Sequence, residues 1–147
     1  MAKAFEFRLE KLLQLRRLEE EAAQRELAAV RQAVEVQNEA ILGLLAEADQ
    51  TRQVFRSFQE RSIDVGRLRQ TGDYLDWVER LLRRERSVMQ DLEKAETEKR
   101  GRLTEALKGV RVLERFRERQ LRRWQQGLDL EERKFLDEIG QNLAKGA

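Results

Sequence analysis

From residue 23 the apolar positions step alternately by four and three: Ala23, Leu27, Val30, Val34, Gln37, Ile41, Leu44, Ala48, Thr51, Phe55 and Phe58. A stripe that returns every seven residues marks a helix whose seam faces another helix. Upstream, Phe5, Leu9, Leu12, Leu15 and Leu18 continue a helical stripe in a shifted phase, as a stutter produces. Together they predict a first helix from about residue 4 to about residue 62. The stretch DVGRLRQTGDYLDW, residues 64 to 77, then interrupts the pattern with Gly66 and Gly72 around polar residues. After Gly72 the pattern restarts, with Asp73 as a candidate N-cap and Asp76 as its acidic N3 partner. Tyr74, Trp77, Val78, Leu81, Val88, Leu92 and Ala95 mark the new stripe. It turns polar around Lys99 to Arg102 and resumes as Leu103, Leu107, Val110, Arg117, Leu121, Trp124, Leu128 and Phe135, with Glu114 and Glu131 interrupting. A second helix is therefore predicted from about 73 to about 140, followed by a short C-terminal tail. Gly101, Gly109 and Gly127 lie inside it and mark flexible or closely packed points, since each costs up to ~1 kcal/mol against alanine.

Neither helix buries its stripe alone, and a short connector makes antiparallel packing of neighbours the default. At 1.5 Å per residue the two helices would be ~90 and ~100 Å long. The expected fold is all-α: one coiled-coil domain over residues 1–147, a long antiparallel two-helix hairpin with a connecting break at about 63–72. Folding about residue ~69 pairs positions whose numbers add to roughly 138.

Composition supports helix and excludes much else. Charged residues make up 39% of the chain, aromatic residues 6%, and proline is absent. Without cysteine there is no disulfide or thiol chemistry. Without histidine the usual general base near neutral pH and the commonest metal ligand are missing. GRLRQTG, at 66–72, lacks the GK[ST] ending and the preceding strand of a phosphate loop. Carboxylate pairs such as Glu131 and Glu132 have no enclosing pocket in prospect, and Ser57, Ser62 and Ser87 have no activating base. The chain is expected to be no enzyme, with no metal and no cofactor. No apolar run approaches the ~20 residues of a membrane span, and the N-terminus MAKAFEFRLEK has no signal-peptide core, so a soluble protein is expected.

The net charge of +2 hides a basic stretch at 99–123, with ten Lys/Arg against three acids. Under the pairing above it lies beside 15–39, which carries Glu19, Glu20, Glu21, Glu26, Glu35 and Glu39 against four arginines. Much of the charge is thus balanced within the molecule, which weakens a nucleic-acid reading. Four of the nine aromatic residues, Phe55, Phe58, Tyr74 and Trp77, flank the tip. Large rings in a two-helix hairpin have one facing helix to cover them, so they either plug the end against fraying or dock a partner. At the other end Phe5, Phe7 and Leu9 are expected to approach Phe135, Leu136 and Ile139.

The terminal sequences FEFRLEKLLQLRRLEEEAAQRELA, at 5–28, and EERKFLDEIG, at 131–140, resemble the flagellar export protein FliJ family. So does DYLDWVERLL after the polar break, and the resemblance spans essentially the whole chain. It implies a non-enzymatic stalk of the flagellar type III export apparatus, similar to the central stalk of rotary ATPases. Such a stalk inserts into the ring of the hexameric export ATPase, promotes its assembly and activity, engages the membrane export gate and escorts export chaperones. The resemblance implies a ring contact through Phe5, Phe7, Arg8, Lys11, Phe135, Asp137 and Ile139, and a gate contact through Tyr74, Trp77 and Leu81. It also implies a cytoplasmic protein, monomeric when free, peripheral to the inner face of the cell membrane through its partners alone and without nucleic acid. Alternatives are the stalk of a virulence-type injectisome, a basic coiled coil that binds nucleic acid or anionic membrane, and a self-associating structural coiled coil.

Overall fold

The computed structural model describes residues 3–60 and 64–146. It contains two helices, α1 (Glu10–Gln59) and α2 (Val65–Lys145), packed together as an antiparallel hairpin, and no strand among the described residues. Every position of the α1 stripe from Ala23 to Phe58 is buried or half-buried, as its heptad spacing predicts.

The helix ends differ from expectation for local reasons. Helix α1 starts at Glu10, because residues 3–7 run without helical hydrogen bonding and a turn at Phe7, whose carbonyl accepts from the Glu10 amide at 3.1 Å, opens the helix. Its last described helical residue is Gln59, and residues 61–63, where its end and the start of the break were expected, lie outside the described residues. Helix α2 starts at Val65, eight residues before the expected position. Asp64, and not Asp73, is the N-cap: its Oδ1 accepts from the Gly66 amide at 3.0 Å, which satisfies one of the free donors of the first turn. Thr71 returns its hydroxyl to the Arg67 carbonyl at 2.8 Å, a bond that lets a threonine sit inside a helix. Gly66 and Gly72 therefore belong to α2, and no described residue has positive φ.

Ion pairs across the hairpin join 10 with 117, 17 with 114, 26 with 99, 31 with 96 and 52 with 79, so paired numbers add to about 128. The pairing thus centres near residue 64, about five residues earlier than expected, because α2 begins earlier. The basic stretch faces about 5–29 and not 15–39.

This register identifies the seam of α2. The positions buried or half-buried along it step by four and three from Val78 through Leu82, Glu85, Met89, Leu92, Glu96, Lys99, Leu103, Ala106, Val110, Leu113, Arg117, Gln120 and Trp124. Four of these are charged, and each meets a partner on α1: Glu85 accepts from the Gln37 amide, Glu96 pairs with Arg31, Lys99 with Glu26 and Arg117 with Glu10. Trp77, Val88 and Phe135, taken from the sequence as seam residues, are exposed.

By contact the chain divides into two compact units, one joining the chain up to Ala22 with the chain from Thr104, the other spanning Ala23–Leu103. In the second, Ile41, Ala48, Val78 and Leu82 form a buried cluster on which Leu44, Tyr74 and Met89 pack. In the first, Leu13 and Val110 are buried.

Candidate functional site

The first unit gathers most of the residues expected to contact an ATPase ring. The segment FEFRL, 5–9, alternates half-buried and exposed residues: Phe5, Phe7 and Leu9 are half-buried, Glu6 and Arg8 exposed. A period of two belongs to extended chain, and it turns both phenyl rings to one side. They land on α2. Phe5 lies against Trp124 with ring centroids 5.9 Å apart, and Phe7 against Phe116 at 5.8 Å, both tilted, the geometry aromatic quadrupoles favour. The Arg117 guanidinium sits 5.7 Å from the Phe5 centroid and bonds Glu10 at 3.2 Å, tying the strap to the start of α1. Beside the strap an open hollow of about 440 Å³ is lined by Glu6, Phe7, Arg8, Leu9, Phe116 and Gln120.

The expected approach of Phe5, Phe7 and Leu9 to Phe135, Leu136 and Ile139 is not found. Trp124 precedes Phe135 by eleven residues, about 16 Å along a helix, and the earlier register accounts for the displacement. From Asp129 to Gly146 every described residue is exposed, so among the described residues nothing covers this last part of α2. It nevertheless carries Leu130, Phe135, Leu136, Ile139 and Leu143, exposed by 39 to 72%. At 100° per residue, Phe135, Leu136, Ile139 and Leu143 share one face as an apolar stripe, turned by roughly 70° from the seam residue Trp124, whereas Asp137 lies on the side opposite the stripe. Arg8 and Lys11 are exposed.

In the second unit Tyr74, Trp77 and Leu81 follow the start of α2 at one-turn spacing, and the structure separates their roles. Tyr74 and Leu81 are half-buried, whereas Trp77 is 50% exposed, its ring 5.9 Å from that of Tyr74. Desolvation at the seam raises the Tyr74 hydroxyl above its ordinary 10.0, and the Glu47 carboxylate, which accepts its hydrogen bond, disfavours the phenolate further. Sequence reasoning missed Leu82, Met89 and Phe116. The apolar residues at Leu81 and Val88 masked the first two, and the FEF alternation was the available signal for the third.

Among the described residues no cluster of three or more His, Cys, Asp or Glu is placed to hold a metal ion, and no helix is long and apolar enough to cross a membrane. The family model of the flagellar FliJ protein matches residues 5–147, essentially the whole chain. The chain belongs to the FliJ family. No curated protein and no solved structure is matched by it. FliJ membership gives the chain a role in flagellar protein export, in a family of non-catalytic components. The two-helix hairpin is the expected architecture for such a FliJ chain, and of the terminal segments that carried the resemblance, 131–140 and the part of 5–28 up to Ala22 fall in the first unit.

Proposed function

We propose that this protein is a non-enzymatic stalk of the flagellar type III export apparatus. It inserts its terminal end into the hexameric export ATPase ring, promotes ring assembly and turnover, and links the ring to the membrane export gate and to export chaperones. It works in the cytoplasm against the inner face of the cell membrane, held there by its partners, and is a monomer when free. One observation carries the reading: beyond Asp129 every described residue of helix α2 is exposed, yet it keeps an apolar stripe of Phe135, Leu136, Ile139 and Leu143. Apolar surface exposed in a row at the end of a helix is costly in water unless a partner covers it. A hollow ring supplies such cover all round. Phe5, Phe7, Arg8 and Lys11 form the second side of that end, with Asp137 on its polar face. Half-exposed Trp77, backed by Tyr74 and Leu81, is the surface proposed for the gate.

A rod without catalytic groups still couples ATP turnover to a gate if it contacts two states of the ring differently. The test measures ATP turnover and ring assembly of the cognate ATPase with the wild type and with Phe135→Ala, Leu136→Ala, Ile139→Ala together. Among the described residues these side chains are exposed, so the variant should keep its helicity. It should lose stimulation by at least tenfold, as central interface residues typically cost 2 kcal/mol or more in total. Full stimulation by the variant would remove the terminal stripe from the mechanism.

A further inference from the structure

The register accounts for some of the basic residues in 99–123 and leaves others over. Lys99, Arg100, Arg102, Lys108 and Arg117 are held by Glu26, Glu96, Glu98, Glu105 and Glu10. Arg111, Arg115, Arg119, Arg122 and Arg123 are exposed and, among the described residues, enter no ion pair. Their order along the helix is not random. Val110, Leu113, Arg117 and Trp124 face the seam, and at 100° per residue the five arginines fall within about one third of a turn on the opposite face. They form a row about 18 Å long and about one third of a turn wide within the first unit. Glu118 is the one carboxylate at its edge, leaving the row at about +4.

We propose that this row docks the protein on an anionic phospholipid surface. A row of cations on one exposed helix face meets a flat sheet of phosphates with all members at once, and guanidinium binds phosphate through paired hydrogen bonds. Single-stranded nucleic acid asks in addition for open aromatic faces on which bases stack. The nearby rings are already engaged: Phe116 lies under Arg119 at 5.9 Å and against Phe7, while Trp124 lies against Phe5. An acidic protein partner asks for a shaped apolar centre within the charged rim. The row offers only Val112, 64% exposed, at its margin. The contact needs charge density alone, which is what the face supplies. The row lies level with Phe5 and Phe7, so the lipid contact belongs to the free chain, adds a direct hold to the partner-held location proposed above, and alternates with insertion into the ring.

Flotation with vesicles of phosphatidylcholine, alone or with about one third phosphatidylglycerol, tests it on the full chain. Each arginine near such a surface multiplies partitioning by roughly fivefold at low salt. The wild type should bind the anionic vesicles only and be released as NaCl rises from about 0.05 to 0.5 M, where the Debye length falls to a few ångströms. Changing all five arginines to glutamine should weaken binding by at least about fiftyfold. Changing Arg80, Arg83, Arg84, Arg86 and Lys94 to glutamine brings the formal net charge from +2 to the same −3. That control should stay within about threefold of wild type. Circular dichroism checks helicity, and Arg115→Gln with Arg122→Gln, about twentyfold weaker, replaces the fivefold variant if that one unfolds. Equal losses in both charge-matched variants, no preference of the wild type for anionic vesicles, or tighter binding to a duplex DNA at the same salt would each overturn the assignment.

Discussion

The two units use one helix pair in different ways. In Ala23–Leu103 the seam is closed by small aliphatic side chains: Ile41, Ala48, Val78 and Leu82 bury one another, and Ala48 is 1% exposed. The unit that joins the two ends of the chain buries Leu13 and Val110 in the same manner, then adds an extended strap, two aromatic pairs and an ionic tie between Glu10 and Arg117. It also leaves a length of α2 uncovered. Alternate-by-seven aliphatic packing is sufficient to hold two helices together. The aromatic pairs add to that packing, whereas the basic row and the bare apolar stripe lie outside it and are the two features proposed for recognition.

The outer faces repeat the contrast. On α2 of Ala23–Leu103 the outward residues mix signs, with Arg80, Arg83, Arg84 and Lys94 among Asp76, Asp91 and Glu98. Between 111 and 123 the outward face is arginine save for Val112 and Glu118. Mixed charge on a helix surface stabilises locally and is otherwise neutral toward partners, whereas charge of one sign attracts the opposite sign over a Debye length.

The sharpest way to break the comparison is at the aliphatic seam. Leu82→Ala should cost about 3 kcal/mol in urea unfolding followed by circular dichroism, and Leu13→Ala about as much, since each is almost fully covered. A loss under 1 kcal/mol at Leu82 would mean that the cluster does not hold its unit together. Next in size, Phe5→Ala should cost about 2 kcal/mol through lost burial and the lost ring pair, and should shift Trp124 emission to the red. An unchanged spectrum would place the strap elsewhere. Smaller and of opposite sign, Gly72→Ala should raise stability by up to about 1 kcal/mol, because an added Cβ meets nothing within 4 Å there and the residue is helical. Destabilisation by Gly72→Ala would restore the glycine to a turn.

The smallest effect is confined to high pH. Tyr74 is the chain's one tyrosine, so its ionisation is read directly by ultraviolet absorbance. Its folded pKa is raised, so the unfolded chain ionises first as pH climbs. The stability it contributes is present below pH 10 and is lost as pH rises from 10 through the folded value. Glu47→Gln should lower the midpoint part of the way back toward 10.0, since desolvation, the larger cause, remains. A midpoint that does not move would remove Glu47 from contact with the hydroxyl.

Heptad spacing by itself determined the fold class and the α1 seam from Ala23 to Phe58, where apolar residues hold every stripe position but Gln37 and Thr51; upstream it failed, since Leu15 and Leu18 are exposed and Leu13 is buried in their place. The sequence also pointed to the terminal segments through their charged ends, but it read Phe5 to Leu9 as the start of the first helix, and only the tertiary structure shows them as an extended strap on α2. It did not fix where α2 begins. Asp64 and Asp73 are equally good caps by type, and only the packing of α2 against α1 selects the first. The sequence read the seam of α2 only in part: Val78, Leu92, Leu103, Val110, Arg117 and Trp124 face inward as the stripe has them, but Glu85, Glu96 and Lys99 also occupy inward positions while Trp77 and Val88 face out. A charged residue reads as surface until its partner is known, and long side chains bury their stems while their heads pair across the seam. Those partners sit roughly 50 to 110 residues away in sequence, so the register, and with it the arginines left facing water, was decided by tertiary structure.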